Sequence, residues 1–288
     1  MQARYPYSSG ASRSAIAVPD GACDCHIHAY DARYLAAPGA RLSPPNATMA
    51  QYRVIQARLG TQRAVLVTPS TYGADNRPML DAMAQLGGQA RGVAVIDGSE
   101  TDAQLQAMRD AGVRGIRLNL SLGVTSSASQ IVPLAQRVAP LGWHLQLLMA
   151  PDQLAELAPV LQDLPAPIVF DHMARLAPHD AGAHPAHALV LRLLERGRAW
   201  IKLSGGYIVS PRHSVEDPAL DALARSYLDA NLERVVWGSD WPHASASAGM
   251  QPMPDDARQL ERLAEWTGRE QLSRVLVHNP AALYGFPA

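Results

Sequence analysis

Eight short apolar runs, each followed by a longer stretch of helical period, constrain this chain more than any other feature. The runs are residues 22–28, 63–68, 92–97, 115–120, 143–148, 168–172, 200–204 and 235–240, and Val, Ile and Leu dominate them. Between them, segments such as 48–59, 101–111, 151–161, 217–230 and 255–267 space their apolar residues as helices do, the mark of βα units on a parallel sheet. Several open on helix-start residues, Thr101 and Asp102 ahead of Ala103, and Pro254 ahead of Asp255 and Asp256. Eight such units close into a (β/α)8 barrel, which needs about 250 residues. An open doubly wound sheet is the competing arrangement. It is disfavoured because no glycine-rich phosphate fingerprint follows the first run and because polar residues recur at run ends along the whole chain. With 288 residues, 48% of them hydrophobic, the chain can bury one large core. The expected organisation is a flexible leader over 1–20 and a single barrel over 21–288.

The leader, rich in Ser, Tyr and Arg over 5–13, lacks the apolar centre of a signal peptide, and no apolar stretch reaches the roughly 18 residues of a membrane span. A formal charge of -1 offers no basic field to a nucleic acid or an anionic membrane. Cys23 and Cys25 are the two cysteines, and alternate residues of one strand are poorly placed to bond each other. These features predict a cytoplasmic protein that acts on a small molecule, with neither nucleic acid nor membrane as partner.

Parallel barrels build their sites from strand ends. At the first, the run Asp24-Cys25-His26-Ile27-His28 puts two imidazoles on one face, where they can bind a metal or polarise a carbonyl together. The sixth run ends in Asp171-His172-Met173-Ala174-Arg175, which places His172 and Arg175 at the mouth; Arg175 either meets the substrate or serves a local cap or surface pair. In the eighth, Asp240 ends the strand and Pro242 breaks the backbone after it, holding the carboxylate on a turn. An Asp before such a turn often bonds only nearby amides, but three strand-end histidines favour a catalytic role. The loop 34–46, with Pro38, Pro44 and Pro45, is placed to wall the pocket. The segment 178–187 holds His179, His184 and His187 at irregular spacing and reads as a solvated loop rather than a metal site.

The His26-x-His28, Asp171-His172-Met173-x-Arg175 and Trp237-Gly238-Ser239-Asp240-Trp241-Pro242-His243 motifs together resemble the amidohydrolase superfamily. Within it they resemble the branch of 2-pyrone-4,6-dicarboxylate lactonase and its sugar-lactone relatives, over residues 21–286. The resemblance implies a barrel, a site at the C-terminal strand ends and hydrolytic chemistry. Many metal-dependent members end strand four in a Lys or carboxylate and strand five in a His. Here those strands read Ile116-Arg117-Leu118-Asn119 and His144-Leu145-Gln146-Leu147-Leu148, and His144 begins its strand, at the far end of the barrel. A two-metal site is therefore not expected.

The lactonase branch implies hydrolysis that requires no metal, with histidines in place of a Lewis acid. The competing reading is a single zinc on His26, His28, His172 and Asp240, whose ligand types suit it. Arg117 and Arg175 match arginines that grip a substrate carboxylate, a task suited to a bidentate guanidinium. A second arginine is missing from 119–123 and from 204–207, which argues against a flat pyrone dicarboxylate. Tyr207 and residues 254–258 are closer to the galactarolactone isomerase type, which lacks the strand-eight Asp present here. The combination implies a hydrolase of a small, monocarboxylated or hydroxylated lactone. Asp240 would serve as general base, and His26, His28 and His172 would donate to the oxyanion. Arg117 and Arg175 would anchor an acidic group, while Ser70, Tyr207 and Tyr30 shape specificity. The alternatives are a lactone isomerase and a metal-dependent decarboxylase; a non-catalytic binding protein would not need Asp240.

Overall fold

The computed structural model describes residues 5–42, 44–121 and 126–287. Its strands are β1 (Cys23–Ile27), β2 (Arg63–Val67), β3 (Ala90–Ala94), β4 (Val113–Asn119), β5 (His144–Leu148), β6 (Ile168–Phe170), β7 (Ala199–Leu203) and β8 (Val235–Trp237). They lie in chain order, each parallel to the next. The sheet closes on itself where Ile27 bridges Trp241. There Asp240 N–H donates to His26 O (2.9 Å) and His28 N–H to Trp241 O (2.8 Å). Helices Met49–Leu59, Arg77–Leu86, Asp102–Asp110, Ile131–Val138, Pro151–Glu156, Pro185–Glu195, Leu220–Asn231 and Asp256–Ser273 each follow a strand. This is the (β/α)8 barrel, and the meeting of β1 with β8 excludes the open sheet.

Period-two alternation sorts the strand residues into two cores. Ala64, Leu66, Ile116, Leu118, Ile201 and Leu203 pack outward against helix residues such as Tyr52, Ile55, Leu134 and Leu189. Cys23, Cys25, Val65, Val67, Val93, Val169, Trp200 and Val236 fill the barrel, plugged by Tyr284 and Phe286. Both cysteines are buried and unpaired. The register of β1 on β2 shifts between Asp24 and Ile27. The irregularity lets neighbours Cys25 and His26 both face the interior, which strict alternation forbids, while Asp24 meets Tyr52 and Ser239 instead.

Thr48 and Thr101 each cap a helix in a box closed by Gln51 and Gln104, a device worth about 1 kcal/mol. Residues 1–4 of the expected leader lie outside the described residues. From Tyr5 onward the leader is not loose. Ser8 is buried, its Oγ accepting from Arg58 (2.7 Å) and from Asp256 N–H (3.1 Å). Trp241 Nε1 donates to Pro6 O (3.0 Å), and the Tyr5 ring lies 4.3 Å from the Arg58 guanidinium. A buried guanidinium and a buried indole N–H both need partners, and this segment supplies them. Among the described residues no helix is long and apolar enough to cross a membrane.

Candidate active site

The C-terminal strand ends open into a cavity of about 290 Å³ lined by His28, Tyr30, Ser70, Arg117, Asn119, His172, Arg175 and Asp240. Arg41 and Leu42, from the proline-rich loop after β1, complete its wall as expected of that loop. The four residues expected to be catalytic converge beside it. Asp240 Oδ1 lies 3.6 Å from His26 Nε2, 3.8 Å from His28 Nε2 and 3.7 Å from His172 Nε2. The Nε2 atoms of His26 and His28 are 3.3 Å apart.

Local backbone sets these positions. Asp240 sits at φ +70°, in the left-handed region, so the chain leaves β8 sharply. His172, Met173, Ala174 and Arg175 form an unbroken left-handed turn, φ +48° to +60°, at a cost on the order of 1 kcal/mol per residue. The turn swings His172 into the cluster and Arg175 into the cavity. Tyr227 OH braces it by donating to Met173 O (3.0 Å), and Ser204 Oγ bonds His172 Nδ1 (2.9 Å).

A polar layer inside the barrel supports the histidines from below. Asp171 Oδ2 accepts from Arg117 Nε (2.9 Å) and Gln146 Nε2 (3.0 Å), and Lys202 Nζ donates to Gln146 Oε1 (2.7 Å). Lys202 also lies 3.2 Å from His26 Nδ1. His28 Nδ1 bonds Val67 O (2.7 Å). A carbonyl only accepts, so His28 carries its proton on Nδ1 and, when neutral, shows the cavity a lone pair. The expectation that His28 donates to an oxyanion is corrected accordingly.

Tyr207 also departs from expectation. It is buried behind Asp240 rather than lining the cavity, and its hydroxyl donates to Asp240 Oδ2 (2.6 Å). Its oxygen lies 3.1 Å from His243 Nδ1, and His243 Nε2 lies 3.0 Å from Asp256 Oδ1. This second relay fixes the carboxylate so that Oδ1 faces the histidines. Ser70 and Tyr30 do line the cavity, Ser70 Oγ accepting from Asn119 Nδ2 (2.8 Å). Arg175 makes no hydrogen bond or ion pair among the described residues, which leaves its guanidinium for a ligand.

Burial opposes ionisation of Asp240, yet His172, His26 and His28 outweigh it and hold the carboxyl down to about 2. Burial, helped by the Arg117 charge, lowers His28 to about 4. Burial pushes His26 and His172 down as well. At neutral pH the site is an anion among neutral imidazoles. Burial works against Asp171 too, but His26, Lys202 and Arg117 keep it well below the carboxylate range. For His243, Asp256 overcomes burial and raises the imidazole.

The donor set accommodates one divalent cation. Zinc with nitrogen ligands at about 2.0–2.1 Å sets tetrahedral ligand–ligand edges of about 3.4 Å; the three edges among His26, His28 and Asp240 are 3.3, 3.6 and 3.8 Å, and His172 Nε2 lies 3.7 Å from the same Asp240 oxygen. Both His26-His28-Asp240 and His26-Asp171-His172 bring ligand atoms within reach of one ion. His144 stands elsewhere, its ring 5.5 Å from that of Tyr284 at the plugged end.

Reasoning from the sequence missed Asp171, Gln146, Lys202, His243 and Asp256 as working parts. Gln146 and Lys202 carried a signal, a polar residue inside an apolar run at the alternation that faces the barrel interior. The histidines of 178–187 stay outside the site: His184 caps the helix Pro185–Glu195 and His187 bonds Ser226 (2.9 Å). Leu122 and Gly123, in the stretch noted for its missing arginine, lie outside the described residues.

A family model described as amidohydrolase matches residues 23–286. The 2-pyrone-4,6-dicarboxylate hydrolase of Comamonas testosteroni is 33% identical over 290 residues, 95% of this chain and 93% of that protein. The D-galactarolactone isomerase of Agrobacterium fabrum is 31% identical over 93% of this chain and 92% of its own length. The 4-sulfomuconolactone hydrolase of Hydrogenophaga intermedia is 30% identical over 93% and 90%.

Proposed function

The chain belongs to the amidohydrolase family, and from that premise we propose that it is a hydrolase that opens a small lactone bearing a carboxylate or hydroxyl groups. The observation that carries this reading is Asp240, an ionised carboxylate with one oxygen tied to Tyr207 and the other turned to the cavity among three imidazoles. Two of the three relatives named above are hydrolases, one of a pyrone dicarboxylate and one of a sulfonated lactone. Water bonded to Asp240 Oδ1 attacks the lactone carbonyl, and its proton passes to Asp240. The new C–O bond leaves a tetrahedral oxyanion facing His26 and His172. Collapse breaks the ring C–O bond, and Asp240 returns the proton to the departing ring oxygen. Arg175 and Arg117 hold the acidic substituent, with Ser70 and Tyr30 shaping the rest of the pocket.

No metal is required in this scheme. His26, His28, His172 and Asp240 would hold a single zinc where one is bound, and it would supply Lewis acidity to the carbonyl. The near-neutral charge and unpaired cysteines support a cytoplasmic setting.

One observation favours a second reading, lactone isomerisation: the 31% identity to the galactarolactone isomerase. A single experiment separates the two. Chelated, metal-analysed enzyme is given carboxylated, sulfonated and sugar lactones in water enriched in heavy oxygen, with proton release and product mass followed together. Hydrolysis releases a proton and places one heavy oxygen in the acid, whereas isomerisation yields an unlabelled second lactone. Consumption of no lactone, with or without added zinc, would overturn the proposal.

A further inference from the structure

We propose that Lys202, buried inside the barrel, is a positioning residue that fixes the proton of His26 on Nε2, so that the metal-free site presents an N–H donor there instead of a metal ligand. The inference follows from a hydrogen-bonded chain whose two ends each allow one direction. At one end Val67 O only accepts, so His28 Nδ1 is the donor across 2.7 Å. With His28 neutral, its Nε2 then holds a lone pair. His26 Nε2 lies 3.3 Å away in hydrogen-bond geometry and must be the donor of that contact. Neutral His26 therefore has a bare Nδ1, and the group bonded to it is Lys202 Nζ at 3.2 Å. An ammonium only donates. The chain reads consistently from Lys202 through His26 and His28 to Val67.

The competing partner of His26 Nδ1 is Asp171 Oδ1, also 3.2 Å away. That oxygen has no aligned hydrogen bond among the described residues and stands 3.5 Å from Lys202. It is a ready acceptor for an Nδ1 proton, the arrangement that would free His26 Nε2 as a metal ligand oriented by a carboxylate. Lys202 and Asp171 thus compete for one nitrogen, and the winner decides whether His26 offers a proton or a lone pair to the cavity. The chemical use of the Nε2 proton, as a donor to the lactone carbonyl, rests on the hydrolase reading; its position does not.

The test needs no substrate. Full-length, metal-free protein labelled with 15N at histidine is examined at pH 7 by long-range proton–nitrogen correlation, with His26 assigned by the loss of its signals in His26→Gln. Wild type is expected to show His26 protonated at Nε2. In Lys202→Met the proton is expected on Nδ1, with zinc affinity, measured against a chromogenic chelator, tightened about tenfold. A wild-type spectrum with the proton on Nδ1 overturns the proposal even if the variant fails to fold. So does a folded Lys202→Met protein with unchanged tautomer and zinc affinity. A lactone panel without turnover would overturn the hydrolase reading and leave these signals intact.

Discussion

Replacing Asp240 by asparagine separates catalysis from architecture. In Asp240→Asn the amide oxygen can stand where Oδ2 stands and still accept from Tyr207 OH, at 2.6 Å in the parent, so the relay through His243 to Asp256 keeps its partners. What disappears is the anion that faces three imidazoles at 3.6 to 3.8 Å. A positioned general base contributes about 10²–10⁴ in rate, so kcat should fall by that factor, about 3–5 kcal/mol in the barrier. Arg175 and Arg117 do not depend on that charge, so the acid product should bind at least as tightly once a repelling carboxylate is gone. Because Asp240 is held near 2, it stays ionised across any practical assay range. An acid limb in kcat/KM should then report the imidazoles, His28 near 4 among them. Proton release on the best lactone gives the rate, and product calorimetry gives the affinity. Near-normal turnover in Asp240→Asn would refute the assignment of the base.

Three further outcomes are expected. His28 resists protonation down to about 4 where an ordinary histidine accepts it at 6.5. The unfolded chain therefore binds the extra proton first, and stability is lost as pH falls from 6.5 to about 4, by about 3 kcal/mol from this residue; between pH 7 and pH 4 the urea midpoint should fall further in wild type than in His28→Gln, where His26 and His172 still resist protonation. Tyr207→Phe removes a hydrogen bond to a charged group, worth about 1.5–3 kcal/mol; both the urea midpoint and kcat should drop while circular dichroism is unchanged. Arg175→Met should raise KM about tenfold or more for carboxylated lactones and leave that for uncharged lactones nearly unaltered, a contrast read directly from paired steady-state assays.

The barrel was legible because its strands are apolar runs and its helices carry caps that act locally, as at Thr48 and Thr101. Strand limits were less so. The third run includes Val95 and Ile96, yet β3 stops at Ala94, because the Asn76 side chain bonds both the N–H (2.9 Å) and the C=O (2.8 Å) of Val95 in place of a strand. The strand-end histidines and Asp240 were legible since position on a barrel strand alone directs them to the rim. Tyr207 was not, because Gly205 at φ +62° and the short helix Gly206–Val209 turn it back behind Asp240. Lys202, Gln146 and Asp171 work through partners on other strands, and such pairings exist only once the barrel closes.

The packed leader bears on how the protein should be handled. Pro6, Ser8 and Ser9 are stitched to Trp241, Asp256 and Pro254, residues that flank the carboxylate and its relay. An expression clone trimmed to start at the first strand would expose the Arg58 guanidinium and free the indole that follows Asp240. Activity lost from such a preparation would reflect a disturbed rim rather than a wrong substrate.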